Sequence, residues 1–499
     1  MERVSYILRV QLIFASIVFL IAGCNQSSDP KPQKPNIIYI LADDMGYGDL
    51  GCYGQKYIET PNIDQMAQKG VKFNYHFSGS TVCAPSRSSL LTGLHTGHAP
   101  VRGNKEFFPE GQQALPDTLM TTAKFLKQNG YVTAAMGKWG LGFIGTSGDP
   151  LNQGFDDFYG FNCQREAHSY YPDHLWKNYD KVELPGNLQG GMSTYAQDLI
   201  QDEALSFIKK NRENPFYLYL PYVAPHAELI APDDSILSYY QQKFKDIKGK
   251  PYVASKGGDY GPDMVVGKYA SQDEPRAHFA AMVSRLDGYV GEIVKLLEEE
   301  GIAENTLIIF TSDNGPHEEA GADPDFFNSN AGLIGHKRDL HEGGVRVPFI
   351  AYMPKVITAG SISNQVSAFW DMNKTYGDII GAEYSADTDG ISLWNSMQGL
   401  EPKVRHEFLY WEFHEKGGRQ SIRKGDYKLV KLNVRKPEKT TLELYNLKKD
   451  PSERKNIAPS NVELVYRLTT EMEAQHTFNP IFPFYPDEVK IDNKPFYVE

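Results

Sequence analysis

The sequence predicts an α/β fold: a large sandwich with a mainly parallel central sheet flanked by helices, then a smaller C-terminal antiparallel sheet with one helix. Three observations predict it. Two apolar runs rich in β-branched residues, 35–42 (PNIIYILA) and 305–311 (NTLIIFT), read as strands buried on both faces. Amphipathic helical patterns alternate with further apolar runs over most of the chain. Beyond about residue 397 the texture changes to short alternating segments. The expected division is a large α/β domain over 35–396 and an α+β subdomain over 397–499.

The elements follow in order. Residues 1–23 carry Arg3 and Arg9 ahead of an apolar run, 10–22, broken by Gln11 and Ser16. The run is short for a bilayer span and reads as the h-region of an export signal. It ends in Ile21-Ala22-Gly23-Cys24, which resembles a bacterial lipobox. That resemblance implies lipidation of Cys24, a tether over 24–34, and an exported protein held to a membrane only by its lipid, in the periplasm or at the cell surface. A helix is expected over 60–70, with Pro61 at its start, Ile63, Met66 and Ala67 on one face, and Gly70 at its stop. A second is expected over 115–129, closed by Gly130. Strand 131–136, helix 195–211, strand 215–222, the long helix 274–300, strand 305–311 and strand 347–352 complete the large domain. Strands over 407–412, 420–423, 427–433 and 441–446 and a helix over 462–474 make up the subdomain.

The chain has 499 residues, 41% of them hydrophobic, enough for a sizeable core. Its net charge of −12 argues against a nucleic-acid partner. An anionic substrate would therefore need local cations. The 61 Tyr, Phe and Trp residues (30, 26 and 5) suit packing first and sugar contacts second. Four cysteines, Cys24, Cys52, Cys83 and Cys163, make no disulfide framework; Cys52 and Cys163 could pair or stay free.

Chemistry concentrates in a few places. Cys83-Ala84-Pro85-Ser86-Arg87 puts a thiol at a helix start, since Pro85 suits the first turn. Helix-start N–H groups favour anions, and Arg87 lies one turn on. From the residues alone this is a reactive thiol in an anion site, or a buried Cys at a helix start. Asp43 and Asp44 end one predicted strand, and Asp313 and Asn314 end another. In a parallel sheet, sites gather beyond the carboxyl ends of strands. Four oxygen ligands favour Ca²⁺ or Mg²⁺ over zinc. Lys138, His226 and Lys337 also follow strands or sit in Gly-rich loops.

The motif C-x-P-S-R with the downstream Leu91-Thr92-Gly93 resembles the signature of formylglycine-dependent sulfatases of the alkaline phosphatase superfamily, and matching segments spread over nearly the whole mature chain. The resemblance implies that a maturation enzyme oxidises Cys83 to an aldehyde (3-oxoalanine). Its hydrate attacks sulfur with one hydroxyl and expels sulfate with the other. It further implies Asp43, Asp44, Cys83, Asp313 and Asn314 at a Ca²⁺ ion (Mg²⁺ second), Arg87, Lys138, His226 and Lys337 around the sulfate, and a sulfated carbohydrate as substrate, with a lean to galactose or N-acetylgalactosamine. Substrate contacts are expected from Arg102, Asn104, His168, His317 and, reaching back from the subdomain, His414. One departure matters: many relatives read G-K-W-H, and here Gly140 holds the His position. His98 and His168 are the candidates to replace it. Two rival readings are a phosphate or phosphonate monoester hydrolase of the same superfamily and an inactive, lipid-tethered glycan-binding protein.

Overall fold

The structure, a computed structural model, describes residues 34–489, so the export signal, the Cys24 lipid site and all of the tether but Lys34 lie outside it. From Pro35 the chain forms one compact unit. Its spine is a ten-stranded sheet. In chain order the strands are β1 (Asn36–Ala42), β2 (Val71–Phe73), β3 (Val132–Lys138), β4 (Asp157–Phe161), β5 (His174–Lys177), β6 (Asp180–Glu183), β7 (Phe216–Pro221), β8 (Thr306–Ser312), β9 (Phe349–Tyr352) and β10 (Ser361–Ser363). Across the sheet they run β10-β2-β9-β8-β1-β7-β3-β4-β5-β6. The five strands from β8 to β4 are parallel, while β9 and β5 run against their neighbours.

Period-two alternation explains why β1 is apolar throughout. Ile38, Ile40 and Ala42 feed one core layer, whereas Ile37, Tyr39 and Leu41 feed the other. The first layer is covered by two long helices, α4 (Ala196–Asn211) and α6 (Pro275–Glu299), through residues such as Ile200, Phe207, Val283, Val290 and Leu297. The second is covered in part by α2 (Cys83–Thr92) and α7 (Met372–Ile380) through Leu90, Leu91, Met372 and Tyr376. Shorter helices are α1 (Pro61–Lys69), α3 (Thr122–Gln128) and α5 (Ser235–Lys243).

The C-terminal sheet comprises β11 (Leu409–Phe413), β12 (Arg419–Lys424), β13 (Tyr427–Leu432) and β14 (Thr441–Asn446), all antiparallel, under helix α8 (Val462–Glu473). Trp411 packs with Phe77 and Trp370, and its indole N–H donates to the Ser78 carbonyl at 3.0 Å. A buried ion network crosses the same seam. Lys428 Nζ lies 3.1 Å from Glu342 and 3.2 Å from Glu453, and Arg423 lies 3.3 Å from Glu342.

The structure corrects the sequence reading in two places. The expected helix over 115–129 exists only as α3; residues 115–121 run as loop, and the Thr121 hydroxyl caps the helix on Lys124 N–H at 3.4 Å. The hairpin strands β4 to β6 were not expected, because their short runs carry little alternation. Among the described residues no helix is long and apolar enough to cross a membrane.

Candidate active site

The site forms where the carboxyl ends of β1, β8, β3 and β7 meet the start of α2. Asp43 and Asp44 leave β1, and Asp44 takes a left-handed backbone (φ 62°) that turns it away from its neighbour. Asp313 and Asn314 leave the adjacent strand β8. Parallel pairing in register, Ala42 against Ser312, brings the two pairs together, and Asp44 N–H donates to Asp313 Oδ1 at 3.1 Å. Asn314 donates to Asp44 Oδ1 at 2.7 Å and to the Gly315 carbonyl at 2.9 Å.

Cys83 is the first residue of α2, and every residue of that helix is buried. The Asn104 side chain accepts from Ala84 N–H at 3.0 Å and so serves one of the helix-start donors. Cys83 Sγ lies 3.2 Å from Asp43 Oδ1 and 3.5 Å from Lys138 Nζ, and Lys138 also bonds Asp43 Oδ2. Arg87 points back one turn. It binds Asp313 Oδ2 through Nε (3.1 Å) and a terminal nitrogen (2.8 Å), reaches Asp43 at 3.2 Å, and donates to the Lys138 carbonyl. On the other side Lys337 Nζ bonds Asp44 Oδ2 at 2.8 Å, His226 Nε2 at 3.0 Å and Glu319 at 3.2 Å. Asp43, Asp44, Cys83 and His226 bring ligand atoms within 4.8 Å of one another.

Electrostatics assigns protons. Burial and then the nearby carboxylate Asp43 push the Cys83 thiol well up, so the reactive thiolate read from the helix start alone does not form here. Burial works against ionised Asp43, but the cations Lys138, Arg87 and Lys337, Lys138 foremost, hold it well below the carboxylate range. Burial opposes charge on Lys337 too, and Asp44 and Glu319 overcome it. His226 is pushed well down by burial and then by Lys337 and Lys138. It is therefore neutral, with Nδ1–H given to the Ala227 carbonyl and Nε2 accepting from Lys337.

The residues present fit a hard cation. Asn314 Oδ1 is buried and has no hydrogen-bond partner, an arrangement that costs stability unless something electropositive meets it. Three carboxylates flank it, and all four candidate ligands offer oxygen. Together with Glu319, these acids balance Arg87, Lys138, Lys337 and Arg338 in charge, since Glu319 also pairs with Arg338 at 2.7 Å. A divalent cation would thus leave the site positive and matched to an anion.

Other expected residues distribute unevenly. His168 stacks on His226, ring centroids 5.0 Å apart, and its Nδ1–H is held by the Gly267 carbonyl at 3.2 Å. Burial and then the Lys138 charge push it down to about 4. His317 packs against His226 at 5.9 Å, with both ring nitrogens bonded, to Pro225 O and Glu319 N, so it orients the His226 wall. Arg102 and His414 correct the reading. Arg102 is enclosed by Ala99 O, Glu412 at 2.9 Å and Thr477, and ties the two sheets' layers rather than facing a substrate. His414 is buried against Phe482 and Phe484, with Nε2 on the Phe482 carbonyl, and does not overhang the cleft. His98 pairs with Asp389 at 2.9 Å and stacks on His95, away from the Cys83 cluster. Cys52 and Cys163 are both free. Gly140 has φ 74°, and a Cβ there would meet Gln164 Cγ at 2.8 Å; the Gln164 side chain fills the space a residue at 140 would take. Glu319 was missed, because one of two adjacent acids in a loop, Glu318 and Glu319, carries no signal until its partner Lys337 is placed beside it.

A buried cluster on the carboxyl edge of a doubly covered parallel sheet, with acids for a cation and three cations for an anion, fits a hydrolase of anionic esters. Comparison with known proteins makes this specific. The family model described as Sulfatase matches residues 35–382, and the model described as N-sulphoglucosamine sulphohydrolase, C-terminal, matches 333–477. The human N-acetylgalactosamine-6-sulfatase is 33% identical over 383 residues, covering 72% of this chain and 65% of its own length. The arylsulfatase of Hemicentrotus pulcherrimus is 32% identical over 423 residues, covering 79% and 67%. The solved structure of Ps i-CgsB in complex with k-i-k-neocarrahexaose superposes with a TM-score of 0.72 at 30% identity, covering 89% of this chain and 92% of that one. The chain belongs to the sulfatase family, the type I sulfatases of the alkaline phosphatase superfamily, and is a sulfuric ester hydrolase.

Proposed function

We propose that this enzyme removes a sulfate ester from a carbohydrate, galactose or N-acetylgalactosamine in a sulfated glycan, using Ca²⁺ and a formylglycine made from Cys83 by a maturation enzyme. The observation that carries the reading is the setting of Cys83: at a helix start, 3.2 Å from Asp43 and 3.5 Å from Lys138, beside a partnerless Asn314 oxygen. In this reading Sγ stands where the hydroxyls of the hydrated aldehyde would be. The sugar is supported by the names of relatives that act on N-acetylgalactosamine 6-sulfate or bind neocarrahexaose.

Asp43, Asp44, Asp313 and Asn314 would hold the Ca²⁺ ion, which polarises a sulfate oxygen and favours the ionised hydrate. Lys138 and Lys337 hold the remaining sulfate charge. One hydroxyl of the hydrate attacks sulfur as the bond to the sugar oxygen breaks. The departing alkoxide takes a proton from the Lys337 ammonium, which His226 Nε2 orients by accepting one of its N–H bonds. The second hydroxyl then loses its proton, the bond to the sulfate oxygen breaks, and the aldehyde returns. His168, neutral and stacked on His226, is the acceptor for that second proton or a sugar contact; Asn104, at the helix start, is the other polar contact. The lipid anchor at Cys24 and export remain part of the proposal, supported by the signal sequence.

A panel of defined sulfated mono- and disaccharides, scored for sulfate with Ca²⁺ and with chelator, tests this. Release of sulfate that chelator abolishes is expected. Faster turnover of the matching phosphate esters would overturn it in favour of a phosphate or phosphonate monoester hydrolase.

A further inference from the structure

Phe108 is the most exposed large apolar side chain among the described residues, at 88%, and its neighbour Phe107 is 42% exposed. Both sit at the tip of a small hairpin in which Glu106–Phe107 pairs with Gly111–Gln112. Two adjacent phenylalanines in water on a turn are costly to keep, and such patches mark binding surfaces. The hairpin is also held firmly against the active-site wall. It starts two residues after Asn104, whose side chain bonds the second residue of α2 next to Cys83. Gln112 accepts from Gln164 N–H at 3.1 Å, and Gln164 fills the space beside Gly140. Glu110 pairs with His174 at 3.1 Å. The Arg165 guanidinium lies 4.0 Å from the Phe108 ring centre and donates to the Pro109 carbonyl, and Arg165 begins the turn that carries His168. Lys105 Nζ lies 5.7 Å from the Phe107 ring centre.

We propose that this tip is a subsite for a sugar ring adjoining the sulfated one, so that the enzyme prefers an oligosaccharide to a monosaccharide. An aromatic face offers a sugar ring a flat apolar surface. Lys105, near the Phe107 ring, brings a positive charge to the rim, which suits a chain that carries further sulfates, while the buried Arg165, 4.0 Å from Glu106, backs the Phe108 ring and fixes it. The proposal rests on the carbohydrate sulfatase reading, and its occupant is a glycan rather than a second copy of this chain.

The test uses the full, matured, calcium-loaded enzyme. Wild type, Phe108→Ala and Phe108→Trp are assayed on 4-methylumbelliferyl sulfate, N-acetylgalactosamine 6-sulfate, and sulfated di-, tetra- and hexasaccharides built on that sugar or on galactose. The expected result is a rise in wild-type kcat/KM with chain length. Phe108→Ala should lose about 10-fold on the longer substrates, mainly in KM, as expected for one aromatic anchor. Its aryl sulfate turnover should not change, and Phe108→Trp should keep the preference. Aryl sulfate turnover reports on the functional reading separately. A wild type indifferent to chain length, a Phe108→Ala enzyme equal to wild type on hexasaccharide, or equal losses on every substrate would overturn the subsite.

Discussion

At the scale of single residues, Arg87 and His226 divide two kinds of work. Arg87 is fully buried and forks onto Asp313 while touching Asp43. Arg87→Lys keeps the charge and loses the fork, so kcat/KM should fall by roughly 100-fold with calcium present. Arg87→Ala leaves the buried Asp313 without its cation and Asp43 with Lys138 alone, and should also cost on the order of 3–5 kcal/mol in unfolding free energy, read by denaturant titration. In the proposed mechanism His226 Nε2 accepts from Lys337 and aims its ammonium, which matters only when the leaving oxygen needs a proton. His226→Ala should therefore lose far more activity on a sugar sulfate, whose alkoxide is a poor leaving group, than on an activated aryl sulfate. Equal losses on both would remove it from the leaving-group step. That Cys83, Arg87, Asp43, Asp313 and Lys138 would share one cluster was legible in the sequence through short local motifs and the family resemblance they carry. Arg102 and His414 were misread because a buried ion pair and an enclosed imidazole look, in one dimension, like any polar residue near a loop.

At the scale of elements, the hairpin next to the cleft is pinned by His174. Burial works against charge on this ring, but Glu110, Glu166 and Asp173 raise it to about 9. A histidine whose folded value lies above its ordinary 6.5 contributes stability that is complete below 6.5 and lost as pH rises through about 9. Thermal stability should thus decline between about pH 6.5 and 9, and His174→Gln should flatten that decline. A variant with the wild-type slope would show that the step belongs to another group. The long elements, β1, β8, α4 and α6, follow from unbroken periodic patterns. The start of α3 was misplaced because the apolar period runs on into 115–121, whereas the cap at Thr121 decides where the helix begins. Hairpin strands of four or five residues, such as β4 to β6, depend on neighbours that the local sequence does not name.

At the scale of the whole molecule, the two sheets are joined through fixed charge. Lys428 is wholly buried and bridges Glu342, which leads the loop after Lys337, to Glu453. Lys428→Met should destabilise by about 3–5 kcal/mol near neutral pH, because the buried Glu453 loses its cation and Glu342 keeps only Arg423 and Arg346. Glu342 is pushed up by burial and held down by Lys428, then by Arg423 and Arg346, for a net value below 4.5. Its contribution is present above that value and lost as pH falls, so the penalty of Lys428→Met should shrink on acidification. A pH-independent penalty would mean that the lost packing, not the charge, matters. The fold class and both sheets were legible from alternation and composition, but the seam between them was not, since contacts across it join residues 81, 111 and 333 positions apart.

The proposed function turns on Cys83 and its oxidation to the aldehyde. The most direct measurement is sulfate release plotted against the fraction of Cys83 present as aldehyde, determined by mass spectrometry on full-length enzyme made with and without the maturation enzyme. The account predicts a straight line through the origin, with Cys83→Ala lying at zero. Full activity in enzyme whose Cys83 is entirely unmodified, or sulfate release by Cys83→Ala, would contradict it.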